Sequence, residues 1–195
     1  MSLSLDFVTL SEAYWRGTAS PSQVVDAVFD RIEAKGEDGV WIALAPREDA
    51  LARASALETL PPESRAELSL FGLPFSVKDN IDVGGLPTTA ACPAFSYSPA
   101  ISSPVVNRLI EAGAIPIGKT NLDQFATGLA GVRSPYGIPR NPFDPRYIPG
   151  GSSSGPAVSV ASGLVSSRSA ATPAAPGAFR PPSTILSASS RRGAS

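Results

Sequence analysis

Apolar positions recur three and four residues apart from Ser20 onward. Val24, Val25, Val28, Phe29 and Ile32 share one face of a predicted helix that Ser20 and Pro21 open and Gly36 stops. Val40 to Leu44 is a short apolar run whose length suits a buried strand. A second helix is expected from about Arg47 to Leu57, ended by Pro61-Pro62. Gly72-Leu-Pro-Phe-Ser-Val-Lys-Asp-Asn carries a strand up to a loop. Val105, Val106, Leu109 and Ile110 predict a helix closed by Gly113, ahead of a strand Ile115-Pro-Ile-Gly. Beyond Asn121-Leu-Asp-Gln-Phe-Ala-Thr lie a Gly/Pro-rich loop from Gly131 to Gly151 and a small-residue helix after Gly155. This alternation predicts an α/β layered fold, and no internal repeat is visible.

Composition narrows the function classes. A chain of 195 residues suits one domain or a piece of something larger. With 17% charged residues and a net charge of −1, neither nucleic-acid binding through a basic surface nor an acidic tail is favoured. No apolar run reaches the roughly 18 residues of a membrane span, and Met1 to Asp6 lacks the basic-then-apolar order of a secretory signal, so a cytoplasmic protein is expected. The single cysteine, Cys92, excludes an internal disulfide and a cysteine-cluster metal site; it reads as a small packed residue rather than a nucleophile. The chain has no histidine, which excludes Ser-His-Asp and Cys-His catalysis and His-ligated metals. A hydrolase built on this chain needs another base.

Charge also divides the chain. Residues 1–166 carry 12 Lys+Arg against 17 Asp+Glu, a net of −5, whereas residues 167–195 carry four arginines and no acid, a net of +4. The second stretch, rich in Ala, Ser, Pro and Arg, reads as low-complexity.

Three segments carry candidate chemistry: Val77-Lys78-Asp79-Asn80, Gly118-Lys-Thr-Asn-Leu-Asp123, and Gly150-Gly-Ser-Ser-Ser-Gly155. Each has a plain alternative. A lysine at a strand end is commonly a solvated charge, and a Gly/Ser run is commonly a flexible loop. Gly113 to Thr120 matches the spacing of a phosphate-binding loop, but its intervening Ala-Ile-Pro-Ile builds a strand and loses a donor at Pro116. Asp79 and Asn80 read equally as turn caps or as hydrogen-bonding support for a site. Arg133, Tyr136 and Tyr147 fit either a substrate cleft or loop packing.

Taken together, Gly72-Leu-Pro-Phe-Ser-Val-Lys-Asp-Asn-Ile-Asp-Val, Gly85-Leu-Pro-Thr-Thr-Ala, Gly113-Ala-Ile-Pro-Ile-Gly-Lys-Thr-Asn-Leu-Asp-Gln-Phe and Gly150-Gly-Ser-Ser-Ser-Gly resemble the amidase signature family in order and spacing, over roughly residues 20–166. Thr88-Thr-Ala-Ala-Cys-Pro-Ala-Phe, Asp123-Gln-Phe-Ala-Thr-Gly-Leu and Arg133-Ser-Pro-Tyr-Gly look most like its allophanate hydrolase branch. The A-type amidotransferase subunit that acts on misacylated tRNA shares the broader pattern. The resemblance implies a mixed sheet flanked by helices, incomplete in this chain. It also implies carbon-nitrogen bond hydrolysis on a small-molecule amide, allophanate in urea degradation beside a biotin-dependent urea carboxylase. No metal or cofactor is implied for the hydrolase itself.

The same resemblance implies a Ser-Ser-Lys triad: Lys78 as base and Ser152 as the bridging serine, after a cis peptide that would be Gly151-Ser152. A lysine near its reference pKa of about 10.4 is a poor base at neutral pH, so burial must lower it. Ser153, Ser154 and Gly155 are small enough for the chain to pass close to Lys78, and Gly150, Gly151, Ser153 and Ser154 are candidate substrate contacts.

The attacking serine is missing. The family places it in an Asp-Thr-Gly-Gly-Ser segment that this chain lacks, and the corresponding position is Pro176. One choice of codons for the tail, read one base out of frame, spells that segment. The expectation is therefore an amidase portion over 1–166, an out-of-frame tail over 167–195 and an inactive chain, with apolar surface left uncovered. A non-catalytic fragment that binds a partner is the alternative of a different class.

Overall fold

The computed structural model describes residues 4–169. Helix α1 (Phe7–Trp15) is capped by Asp6, whose carboxylate accepts from the Thr9 amide. Helix α2 (Pro21–Lys35) opens on a reciprocal cap. The Ser20 hydroxyl accepts from the Gln23 amide, and the Gln23 side chain accepts from the Ser20 amide. Gly36, at φ +68°, ends it. Strand β1 (Trp41–Leu44) leads to α3 (Arg47–Glu58) and the short α4 (Pro62–Glu67). Strand β2 (Pro74–Lys78), helix α5 (Pro104–Glu111) and strand β3 (Ile115–Thr120) follow. Helix α6 (Ser154–Ala161) and strand β4 (Ser167–Ser169) close the described fold.

The sheet order is β1-β3-β2-β4; β1 runs antiparallel to β3 and the other two pairings are parallel. Parallel strands need apolar cover on both faces, and the sequence supplies it. Ile115 and Ile117 join the α2 stripe, Ala50, Ala54 and Leu57 of α3, and Val158 of α6 in one core. Phe75 and Val77 join Ile81, Val83, Leu86 and Val106 in the second.

The β2–β3 register carries one irregularity. Phe75 pairs with Pro116 but Ser76 with Gly118, so Ile117 is the extra residue of a bulge. Side chains alternate with period two, and one inserted residue reverses every orientation that follows. Beyond the bulge Val77 pairs with Lys119 and Lys78 with Thr120, so the two lysines leave the sheet on opposite faces.

Three expectations change. The run from Val40 to Leu44 is not a buried strand: Val40 is buried, but Trp41 to Leu44 are half-buried to exposed because β1 lies at the sheet edge. Helices α1 and α4 are additional elements. The fold also continues past residue 166, since Ser167, Arg168 and Ser169 pair with Phe75, Ser76 and Val77. That pairing is made by backbone groups, which a Ser-Arg-Ser segment supplies as well as any other. The remainder of the 167–195 tail lies outside the described residues.

Candidate active site

Lys78 is the last residue of β2, and Ser152 sits just before α6, 74 positions later. Both are buried, and Lys78 Nζ donates to Ser152 Oγ at 2.8 Å. The Gly151–Ser152 peptide is cis. Burial pushes the Lys78 ammonium down from its ordinary value to about 8. Arg168 of β4 pushes in the same direction, and the carboxylate of Asp123 opposes them. A lysine at about 8 holds an appreciable neutral fraction near neutral pH and can accept a proton.

Asp123, which follows β3, ties this site together. Its carboxylate accepts from the amides of Gly131 at 3.0 Å and Arg133 at 2.8 Å, and its own amide donates to the Ser152 carbonyl at 3.0 Å. A Cβ on Gly151 would fall 2.1 Å from Asp123 Oδ2, so only glycine lets the chain lie against the carboxylate here. Gly155 has a similar task in the first turn of α6: a Cβ there would lie 2.5 Å from the Asn121 nitrogen and 2.7 Å from the Val40 oxygen. Gly151 and Gly155 thus let the chain on either side of Ser152 approach the turn at Asn121 to Asp123.

The other candidates separate. Gly150 and Ser153 are half-buried and Gly151 is exposed, so all three reach the surface beside Ser152. Ser154 does not: it is buried in the first turn of α6, and its hydroxyl has no hydrogen-bond partner among the described residues. Asp79 turns away from Ser152. One carboxylate oxygen meets Lys119 Nζ at 2.9 Å, and the other accepts from the amide and hydroxyl of Thr89 at 3.0 and 2.5 Å. Lys119 also donates to the Pro87 carbonyl and the Thr88 hydroxyl. The segment from Gly113 to Thr120 is therefore strand with a fully engaged lysine, not a phosphate loop. Asn80 and Cys92 are half-buried. Tyr136 packs against the cluster of Ala91, Leu122 and Ala126, whereas the side chains of Arg133 and Tyr147 are exposed. Pro176 lies outside the described residues.

Sequence reading missed Asp123 and Lys119 as supports of this region. Lys119 has a marker in the sequence, a lysine inside an apolar strand. Asp123 bonds backbone amides, which leave no pattern of residue types; its trace is the set of glycines at 128, 131 and 151. No helix among the described residues is long and apolar enough to cross a membrane.

Comparisons with known proteins give the family. The chain is 48% identical over 143 residues to urea amidolyase from Saccharomyces cerevisiae, covering 73% of this chain and 8% of that protein. It is 43% identical over 150 residues to the A-type subunit of glutamyl-tRNA(Gln) amidotransferase from an Exiguobacterium species, covering 76% of this chain and 31% of that one. Among solved structures, Kluyveromyces lactis allophanate hydrolase superposes with a TM-score of 0.69 at 43% identity, over 80% of this chain and 26% of that one. The chain thus spans a small fraction of the relatives it matches. The Amidase family itself matches residues 23–169, which takes in both Lys78 and Ser152, and the chain belongs to that family.

Proposed function

We propose that this chain carries the base half of an allophanate hydrolase-type amidase site. The observation that carries the reading is the buried contact of 2.8 Å between Lys78 and Ser152, with the lysine held near 8. In this reading neutral Lys78 accepts the Ser152 hydroxyl proton, and Ser152 in turn accepts a proton from an attacking serine. That serine adds to the amide carbonyl, and the protons return to the leaving nitrogen as ammonia departs. The residue at its place in this sequence is Pro176, and the Asp-Thr-Gly-Gly-Ser segment whose amides would hold the oxyanion is missing. The chain as written is therefore proposed to be inactive, its tail read one base out of frame after about residue 166.

Similarity to urea amidolyase and allophanate hydrolase supports allophanate as the small-molecule amide, with ammonia and carbon dioxide as products, in the cytoplasm beside a urea carboxylase. The likeness to the amidotransferase favours a second reading, transfer of an amide nitrogen to misacylated tRNA. The test is to sequence the DNA across codons 160–200, restore the frame and assay the product. Ammonia release from allophanate but not from simple amides supports the first reading. Activity that requires misacylated tRNA supports the second. A restored protein that hydrolyses no amide overturns both.

A further inference from the structure

We infer that Asp123 is a positioning residue for the Lys78–Ser152 pair: its backbone amide holds the Ser152 carbonyl, and its carboxylate, seated in a slot of glycine backbone against Gly151, holds the loop at 131–133 beside the segment that carries Ser152. The inference rests on the reading of Lys78 and Ser152 as a proton-transfer pair. Asp123 is fully buried, and no ion pair with it is present among the described residues. Its two oxygens are satisfied by hydrogen bonds from the Gly131 and Arg133 amides.

The slot is walled by glycines. A Cβ on Gly128 would fall 2.3 Å from the Asp123 carboxyl, and one on Gly151 would fall 2.1 Å from Oδ2. Gly131 closes the third side, where a Cβ would meet the Gly150 carbonyl at 2.4 Å and Ser154 Cβ at 2.8 Å. The neighbouring backbone hangs from the same turn. The Gln124 amide donates to the Arg133 carbonyl, the Gly151 amide to the Leu129 carbonyl, and the Gly155 amide to the Asn121 carbonyl. The Asp123 side chain thus joins the turn after β3 to the loop at 131–133, and backbone bonds from the same turn and loop hold the segment that presents Ser152.

The role has a signature that simple scaffolding lacks. Among the described residues, Arg168 of β4 and Asp123 act on the charge of Lys78; Asp79, the next residue, is engaged on the opposite face by Lys119. The chain has three lysines, Lys35, Lys78 and Lys119, so carbon-13 at lysine Cε gives three resonances, assigned by losing one in K78M and one in K35R. In the unaltered chain the Lys78 resonance is expected to titrate near 8. In Asp123→Asn, which keeps the shape but removes the charge, its midpoint falls by about one pH unit. A second measurement does not depend on the variant folding. The Gly131 and Arg133 amide proton shifts should follow the Lys78 midpoint in the unaltered chain and lose that step in K78M. Asp123→Asn with an unmoved Lys78 midpoint, or amides that ignore the titration, overturns the inference and leaves the base reading standing. A Lys78 midpoint at the ordinary lysine value in the unaltered chain overturns both.

Discussion

Two lysines lie at the C-terminal ends of neighbouring parallel strands, Lys78 last in β2 and Lys119 next to last in β3, and both are fully buried. Lys119 faces a carboxylate, a carbonyl and a hydroxyl; among the described residues Lys78 meets the Ser152 hydroxyl, with Arg168 and Asp123 close enough to act on it. Burial lowers the pKa of both, but at Lys119 the charges of Asp79 and Asp82 and its contact with the Asp79 carboxylate push back. The same residue type at the same depth is thus paired with a buried carboxylate on one face and set against a serine hydroxyl on the other, while burial leaves the pKa of each lowered. Partner sets, rather than burial, separate a structural lysine from a chemical one.

The sharpest way to break this contrast is Lys119→Met. It leaves Asp79 buried without its cation, a loss of about 3–5 kcal/mol expected for one partner of a buried pair. Urea denaturation should show the midpoint fall by most of the domain's stability.

Lys78→Met should go the other way. The folded-state pKa of about 8 lies below the ordinary value of 10.5, so between those values the unfolded chain binds more protons and stability rises with pH. Below about 8 the cost of the charged lysine is fully present, and the methionine variant is expected to be more stable at pH 7 by up to about 3 kcal/mol. That advantage should shrink as pH climbs from about 8 to 10.5. A pH series of melts on both proteins checks the slope.

The smallest effect is expected from Ser152→Ala, which removes a single acceptor from Lys78 and costs about 1 kcal/mol. A larger loss in the same denaturation assay would mean that Ser152 is a structural tie after all, and would erase the contrast with Lys119.

The scaffold was more legible in the sequence than the site. Helix α2 announces itself by its cap and its stripe of valines, and β2 by an apolar run that meets a charge at Lys78. Helix α1 does not: Leu10 and Ala13 are buried, but Phe7, Val8 and Trp15 are exposed, so its apolar residues do not mark one inward face. The burial of β1 was misjudged because an apolar run does not say whether a strand is central or at an edge. Lys78 and Ser152 came from likeness to a family, and no spacing rule brings together residues so far apart. The opposite facing of the two lysines depends on one bulge at Pro116 to Gly118, a register detail that side-chain patterns do not encode.

Gly151 sets a genetic rule for this region. Every other amino acid carries a Cβ, and that atom would land on the Asp123 carboxylate. Polar, apolar, large and small replacements at codon 151 therefore begin with the same steric injury. In a mutational scan this position should show no chemical gradation, while exposed Trp15 and Tyr147 tolerate most changes.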